Sequence, residues 1–195
     1  MSVSSLILTI ALLSVTNVVA QSGSFIVVNV RVFDGEAVHP NTDVLVRDGR
    51  IAAVGVHSKS SKVPRIEGSN QTLLPGFINA HAHTEYVEQL KESLRFGVTT
   101  VLDMGTFRAY EASLRKEAAS RADVADFRSS STFITAPGGH GTEFGHVVPT
   151  LASADGAEAF VNDCVHQGAD YLKLVINGVR HERDGTPTLV FSVIS

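Results

Sequence analysis

Sulfur is scarce in this sequence: one cysteine, Cys164, and two methionines in 195 residues, with no tryptophan. A single cysteine excludes an intramolecular disulfide framework and any zinc cluster built on thiolates. Cys164 stands in an apolar helical stretch and reads as core. A surplus of positive charge is also absent. Sixteen Lys and Arg face 20 Asp and Glu, a net charge of −4, so no basic surface argues for a nucleic-acid partner. The chain is 44% hydrophobic and 18% charged, with 16 Gly and 6 Pro. That balance excludes a disordered chain, a collagen-like repeat and a multi-span membrane protein. Length is the last shortage. A closed eight-unit barrel of alternating strands and helices takes about 250 residues, and this chain has 195.

The first 20 residues, MSVSSLILTIALLSVTNVVA, hold an apolar run from Leu6 to Val15 and end on Val18, Val19 and Ala20. Short residues at the −3 and −1 positions fit signal peptidase, so a signal peptide over 1–20 and a secreted mature chain are expected. The run is too short and too interrupted by Thr and Ser for a stable membrane span. The stretch before it has no Lys or Arg, which leaves a buried first strand or an uncleaved anchor as the alternative. Asn70-Gln71-Thr72 is an N-glycosylation sequon, in keeping with secretion.

Residues 25–32, FIVVNVRV, have the length and β-branched content of a strand, and Asp34-Gly35 makes a turn. Residues 43–56 hold two apolar runs joined by Asp48-Gly49, a hairpin signal. Residues 57–70, with Ser58, Ser60, Ser61 and Pro64, read as a connecting loop. The pattern then changes. Strands are expected at Leu73–His83, Val98–Met104, Ser131–Ala136 and Tyr171–Ile176. Helices are expected at Glu85–Phe96, Tyr110–Ala122 and Ala154–Gln167, the last opened by Ser153 and stopped by Gly168. Strands alternating with helices imply consecutive βα units and a parallel sheet.

Chemistry gathers at the strand ends. His81 and His83 flank Ala82, and residues i and i+2 of a strand point to one side. Two imidazoles there can hold one metal ion, at the end of a parallel strand where active sites sit. Two exposed loop histidines are the competing reading. Lys173 lies inside YLKLVI, and a lysine in an apolar strand is costly unless it has a partner or a function. The competing reading is a lysine that snorkels from the strand end. The loop Ala136–His146 carries four glycines that let backbone approach a ligand, with His140 as its best candidate for substrate contact and Glu143 and His146 behind it. A flexible loop with incidental polar groups fits equally. A phosphate cradle does not fit, because Phe144 stands at the third glycine position and no Lys-Ser/Thr follows. Asp103 is placed to orient a ligand histidine from behind, or to sit solvated at its strand end. His39, His57, His166 and His181 belong to no partner pattern and read as surface.

The run Leu74-Pro75-Gly76-Phe77-Ile78-Asn79-Ala80-His81-Ala82-His83 resembles the first-strand signature of the amidohydrolase superfamily of metal-dependent hydrolases. Arg47–Gly55 (RDGRIAAVG) resembles the family's small β-sandwich, Gly97–Gly105 (GVTTVLDMG) its second barrel strand, and Gly168–Gly178 (GADYLKLVING) its fourth. Among subgroups the chain looks most like the imidazolonepropionase-like and prolidase-like branch, which includes ochratoxin-hydrolysing amidases. The resemblance implies an α/β fold, with part of a small β-sandwich at 21–66 and the first four βα units of a (β/α)8 TIM barrel at 67–189. It also implies divalent-metal ligands at His81, His83 and Lys173, the lysine carboxylated by CO2 to a carbamate that bridges two ions, with zinc as the expected metal. A metal-bound hydroxide would attack an amide-like C–N bond of a small-molecule substrate that the sequence does not identify.

Two further histidines and a general-base aspartate, which the family draws from later strands, have no counterpart, because the pattern stops after Leu189. Residues 190–195, VFSVIS, read as an aberrant tail, and Val190, whose codon begins with the GT of an intron start, as the point where an unspliced intron is read through. The expectation is a truncated hydrolase half, unstable and inactive by itself. The alternative is a non-catalytic half-barrel, or one completed by a partner. No catalytic residue is assigned within the chain, and its oligomeric state is open.

Overall fold

The structure, a computed structural model, describes residues 23–55, 63–105, 108–144, 147–175, 179–181 and 187–189. The expected signal peptide, the 190–195 tail, His57 and His146 lie outside them. The chain divides into two compact units between Pro75 and Gly76.

The first unit is one five-stranded sheet. Strand β1 (Phe25–Phe33) pairs antiparallel with β2 (Val38–Arg47), which pairs antiparallel with β3 (Arg50–Val54). Strands β4 (Arg65–Glu67) and β5 (Thr72–Leu73) both run parallel to β1. Alternation decides which face is buried: Ile26, Val28, Val30 and Val32 point inward at every second position. Asn29 breaks the ladder with φ +56°, and its backbone N–H donates to Asp43 Oδ1 at 3.0 Å. The Asp48-Gly49 hairpin forms as expected. Both residues take positive φ (+50° and +72°), as a two-residue turn between twisted strands requires.

Two expectations change in this unit. The stretch read as loop, 57–70, contains β4. The strand expected from Leu73 begins instead at Phe77, and Thr72–Leu73 joins the first sheet. Pro75, which has no N–H to donate to a ladder, lies in the gap beside Gly76.

The second unit builds parallel strands through helices. β6 (Phe77–Ala82), β7 (Val98–Asp103) and β8 (Asp126–Ser129) form one parallel sheet in that order. They are joined by α1 (Val87–Arg95) and α2 (Arg108–Ser120). Helix α1 opens with Gln89, whose Oε1 accepts the backbone N–H groups of Glu85 and Tyr86. Its Leu90 meets Val101, Leu114, Val124, Ala125 and Phe127 in the core, and Val87 and Leu94 pack alongside on the same helical stripe.

The third strand differs from the single run expected at Ser131–Ala136. It is broken into β8 and β9 (Phe133–Ile134), and β9 pairs in parallel with β10 (Lys173–Leu174). Local bonds cause the break. Ser129 Oγ accepts the N–H of Ser131 at 2.9 Å, Ser130 O accepts that of Thr132 at 2.7 Å, and Ser131 takes φ +60°. Serine and threonine offer the backbone such alternatives to a ladder. Between β9 and β10 runs α3 (Ala157–His166), entered through a 3-10 turn at Ala154–Gly156. Gly168 (φ +85°) ends this stretch, and the N–H of Ala169 closes on the carbonyl of Cys164. Cys164 is buried, as expected. Strands β11 (Val179–His181) and β12 (Pro187–Leu189) form a short antiparallel pair.

Candidate metal site

His81 is the penultimate residue of β6, and His83 follows one residue beyond its end. Their ring centroids are 5.6 Å apart and tilted by 59°. Two imidazoles on one tetrahedral ion, with nitrogen–metal bonds of ~2.0–2.1 Å, put their centroids on the order of 5 Å apart. The tautomer of His83 is fixed by its neighbour. Nδ1 lies 3.0 Å from the carbonyl oxygen of Gly105. A carbonyl only accepts, so Nδ1 carries the proton of the neutral ring and Nε2 keeps a free lone pair. That is the arrangement a metal-ligating histidine needs.

Asp103, at the end of β7, is fully buried. It is neither solvated at the strand end nor, among the described residues, hydrogen-bonded to His83. Its Oδ1 accepts the N–H of Thr84 at 2.8 Å, and its Oδ2 accepts the N–H of Gly105 at 3.1 Å and the hydroxyl of Ser129 at 3.0 Å. One carboxylate thus fixes the residue after His83 and the glycine whose carbonyl His83 uses. The carboxylate is a strand-end group turned inward, where two backbone amides and a serine hydroxyl from three strand ends converge. Burial pushes its pKa up, against the pull of these donors and of nearby His83. Tyr171 extends the arrangement. Its hydroxyl donates to the Asp103 carbonyl at 2.7 Å, and burial together with the Asp103 and Asp170 charges drives its pKa up to about 12.

Lys173 lies on β10 opposite Phe133 of β9, half-buried, with Nζ 5.5 Å from the Phe133 ring centroid. Burial lowers its pKa, and the charge of Asp103 resists the change. Asp103 therefore bears electrostatically on both His83 and Lys173. His140 stands apart from this group. Its Nδ1 pairs with Glu143 Oε1 at 2.7 Å inside the glycine-rich loop, and Glu143 also accepts the N–H of Gly141. Among the described residues, no three His, Cys, Asp or Glu side chains converge into a metal-holding group. Two adjacent imidazoles, one with its Nε2 lone pair released, are donors that suit a divalent ion, and Lys173 is an amine partly withdrawn from water.

Sequence reasoning assigned no part to Gly105, Phe133, Ser129 or Tyr171. Gly105 was visible as the last residue of GVTTVLDMG. The other three have no local signal, because their partners lie on neighbouring strands.

No family model matches the chain. A stretch of 60 residues is 38% identical to N-acetylglucosamine-6-phosphate deacetylase from Lysinibacillus sphaericus, covering 31% of this chain and 16% of that protein. Among solved structures, a Xaa-Pro dipeptidase with bound methionine in its active site matches with a TM-score of 0.69 and 18% identity. The match covers 80% of this chain and 48% of that one. The ochratoxinase of A. niger matches with a TM-score of 0.67 and 16% identity, over 88% of this chain and 51% of that one. Molinate hydrolase gives a TM-score of 0.63 and 19% identity, over 87% of this chain and 49% of that one. At these identities the likeness is one of fold, and the chain spans about half the length of these solved structures.

Proposed function

We propose that this chain, which shares the fold of amidohydrolase-superfamily structures over about half their length, is part of a metal-dependent hydrolase acting on amide-like C–N bonds. In this reading the parallel strands β6, β7, β8/β9 and β10 are the first four strands of a (β/α)8 barrel. The sheet before them is part of a small β-sandwich. The observation that carries the proposal is His83, whose proton is held on Nδ1 by Gly105 while His81 stands 5.6 Å away.

His81 and His83 would hold one divalent ion, with zinc favoured by two neutral imidazoles. Lys173 would contribute as a carbamate. Its neutral amine attacks the carbon of CO2, a C–N bond forms, one C=O electron pair moves to oxygen and the nitrogen releases a proton. Burial of the amine supports this step, because it weakens the hold of the proton that blocks attack. A bound divalent ion supplies polarisation of a scissile carbonyl and acidification of water. The chain's own residues orient that chemistry: Gly105 turns His83, and Asp103 holds Gly105 and Thr84 in place. The substrate is a small molecule with an amide-like bond.

The test is metal content of the purified 195-residue chain after equilibration with zinc and bicarbonate. Zinc is taken up, and H83N or K173A lowers its affinity about tenfold or more. An unaltered chain that takes up no zinc, or H83N and K173A variants that bind it as well as the parent, would sink the reading.

The chain is further proposed to enter the secretory route through residues 1–20. Asn70 supports this: it is exposed on the turn between β4 and β5 with φ +65°, two residues before an exposed Thr72.

A further inference from the structure

Phe133 joins groups that lie far apart in sequence. Lys173 is its partner across the β9–β10 pair, with Nζ 5.5 Å from the ring centroid. Gly105 abuts one part of the ring, so that a Cβ there would come within 2.8 Å of Cδ1. Gly141 abuts the ring at another point, so that a Cβ there would come within 2.4 Å of Cζ. The ring fits only because both positions lack a side chain, and both take positive φ (+104° and +100°) besides. Each glycine in turn carries a polar group of interest. The Gly105 carbonyl orients His83, and the Gly141 N–H donates to Glu143, the partner of His140.

We infer that Phe133 is a positioning residue of the candidate metal site, its ring setting the spacing between the Gly105 carbonyl, the Lys173 amine and the loop that carries His140. The inference rests on the metal-site reading above. The physical basis is rigidity. A phenyl ring is flat and has two rotatable bonds, and standing 5.5 Å from Nζ it limits where the Lys173 side chain can go whether the nitrogen is an ammonium or a carbamate. Lysine has four rotatable side-chain bonds and loses much rotamer entropy when it is held. Removing the ring frees Lys173 to sample a wider range of positions. It also opens space between Gly105 and Gly141, so the carbonyl that orients His83 is less constrained. Leucine restores apolar volume there without restoring a flat face.

The test uses the full chain loaded with Co2+, whose visible absorption reports ligand number and geometry. Affinity is read by competition with a chelator, and Tm is followed in parallel. The variants are F133A, F133L, G141A and K173A, with L90A as a control that weakens the core away from the ring. The expected result is a loss of Co2+ affinity of about 10–100-fold in F133A and F133L, with altered absorption bands. G141A, whose methyl collides with the ring, behaves alike, whereas L90A lowers Tm and leaves the bands unchanged. Unchanged bands and affinity in F133L, with only a lower Tm in F133A, overturn the inference and make Phe133 a core filler. If K173A weakens Co2+ binding and F133A does not, the inference fails while the metal-site reading stands. An unaltered chain that takes up no Co2+ removes the metal-site reading and the inference together.

Discussion

Asp103 was legible in the sequence as an acid closing an apolar strand, there either to orient a ligand histidine or to sit solvated. What it does there depends on three donors from three segments: Thr84, Gly105 and Ser129. Replacing it with alanine leaves these donors facing one another around a void. The cost of orphaned buried donors makes D103A less stable by about 3 kcal/mol or more. A urea denaturation midpoint measures this, and S129A, which orphans the single N–H of Ser131 where D103A orphans three donors, should cost less. His81 and His83 were easier to read, because a strand's two-residue period is local and needs no tertiary knowledge. The acceptor of His83 was not readable in the same way. It is a backbone carbonyl 22 residues away, and backbone carbonyls have no letter in the sequence.

Between elements, one arginine ties helix α2 to the strands beside it. Arg115 donates from Nε to Glu111 Oε1 at 2.9 Å and from Nη1 to Asp170 Oδ2 at 2.7 Å. Its guanidinium lies 6.0 Å from the Phe127 ring centroid. Glu111 is buried and also accepts from Ser131, so the arginine neutralises two carboxylates and secures the turn that leads into Tyr171 and Lys173. R115M, which keeps much of the apolar stem, leaves buried Glu111 without its cation and Asp170 with Arg128 at 3.5 Å, and should cost on the order of 3 kcal/mol.

Acid exposes the same tie. Burial raises the pKa of Asp170, but the Ser129 N–H and Arg115 outweigh it, and the carboxyl ends below its ordinary 3.8. A depressed carboxylate stabilises the fold above its unfolded pKa, and that contribution is lost as pH falls through the folded value. Denaturation midpoints at about pH 7 and about pH 3 should therefore fall further in the parent chain than in R115M. A parent that loses no more than R115M contradicts this. Element boundaries were legible where the signal is chemical, as at Asp48-Gly49 and Gly168. They were missed where short strands owe their existence to a partner. Arg65–Glu67 and Thr72–Leu73 are strands only because β1 offers them a parallel edge.

At the scale of the whole molecule, the order of strands and helices followed from periodicity, and the parallel pairing followed from that order. The division between Pro75 and Gly76 was harder to see, since LLPGFINAHAH reads as one apolar run into a polar end. The route of the molecule through the cell has a direct measurement. Expressed in a eukaryotic secretory host with its own first 20 residues, the chain should reach the medium lacking them. It should carry one N-linked glycan that an endoglycosidase removes and that N70Q abolishes. Retention inside the cell without glycan, or an unmodified secreted chain, contradicts the respective half of that expectation.

The break in the third strand has one more consequence. Ser129 bonds to Asp103 on one side of it, and Phe133 contacts Gly105, Gly141 and Lys173 on the other. The residues between, Ser130 to Thr132, therefore act as a ruler as much as a bend. Any one of them can be exchanged with local cost, since the chain on both sides keeps its partners. Inserting or deleting one residue instead forces a choice. Either the bond from Ser129 or the seat of Phe133 is kept, and the other group is carried past its partners. The number of residues across this break is accordingly under tighter constraint than their identity, and length changes confined to it should be rarer among functional variants than substitutions.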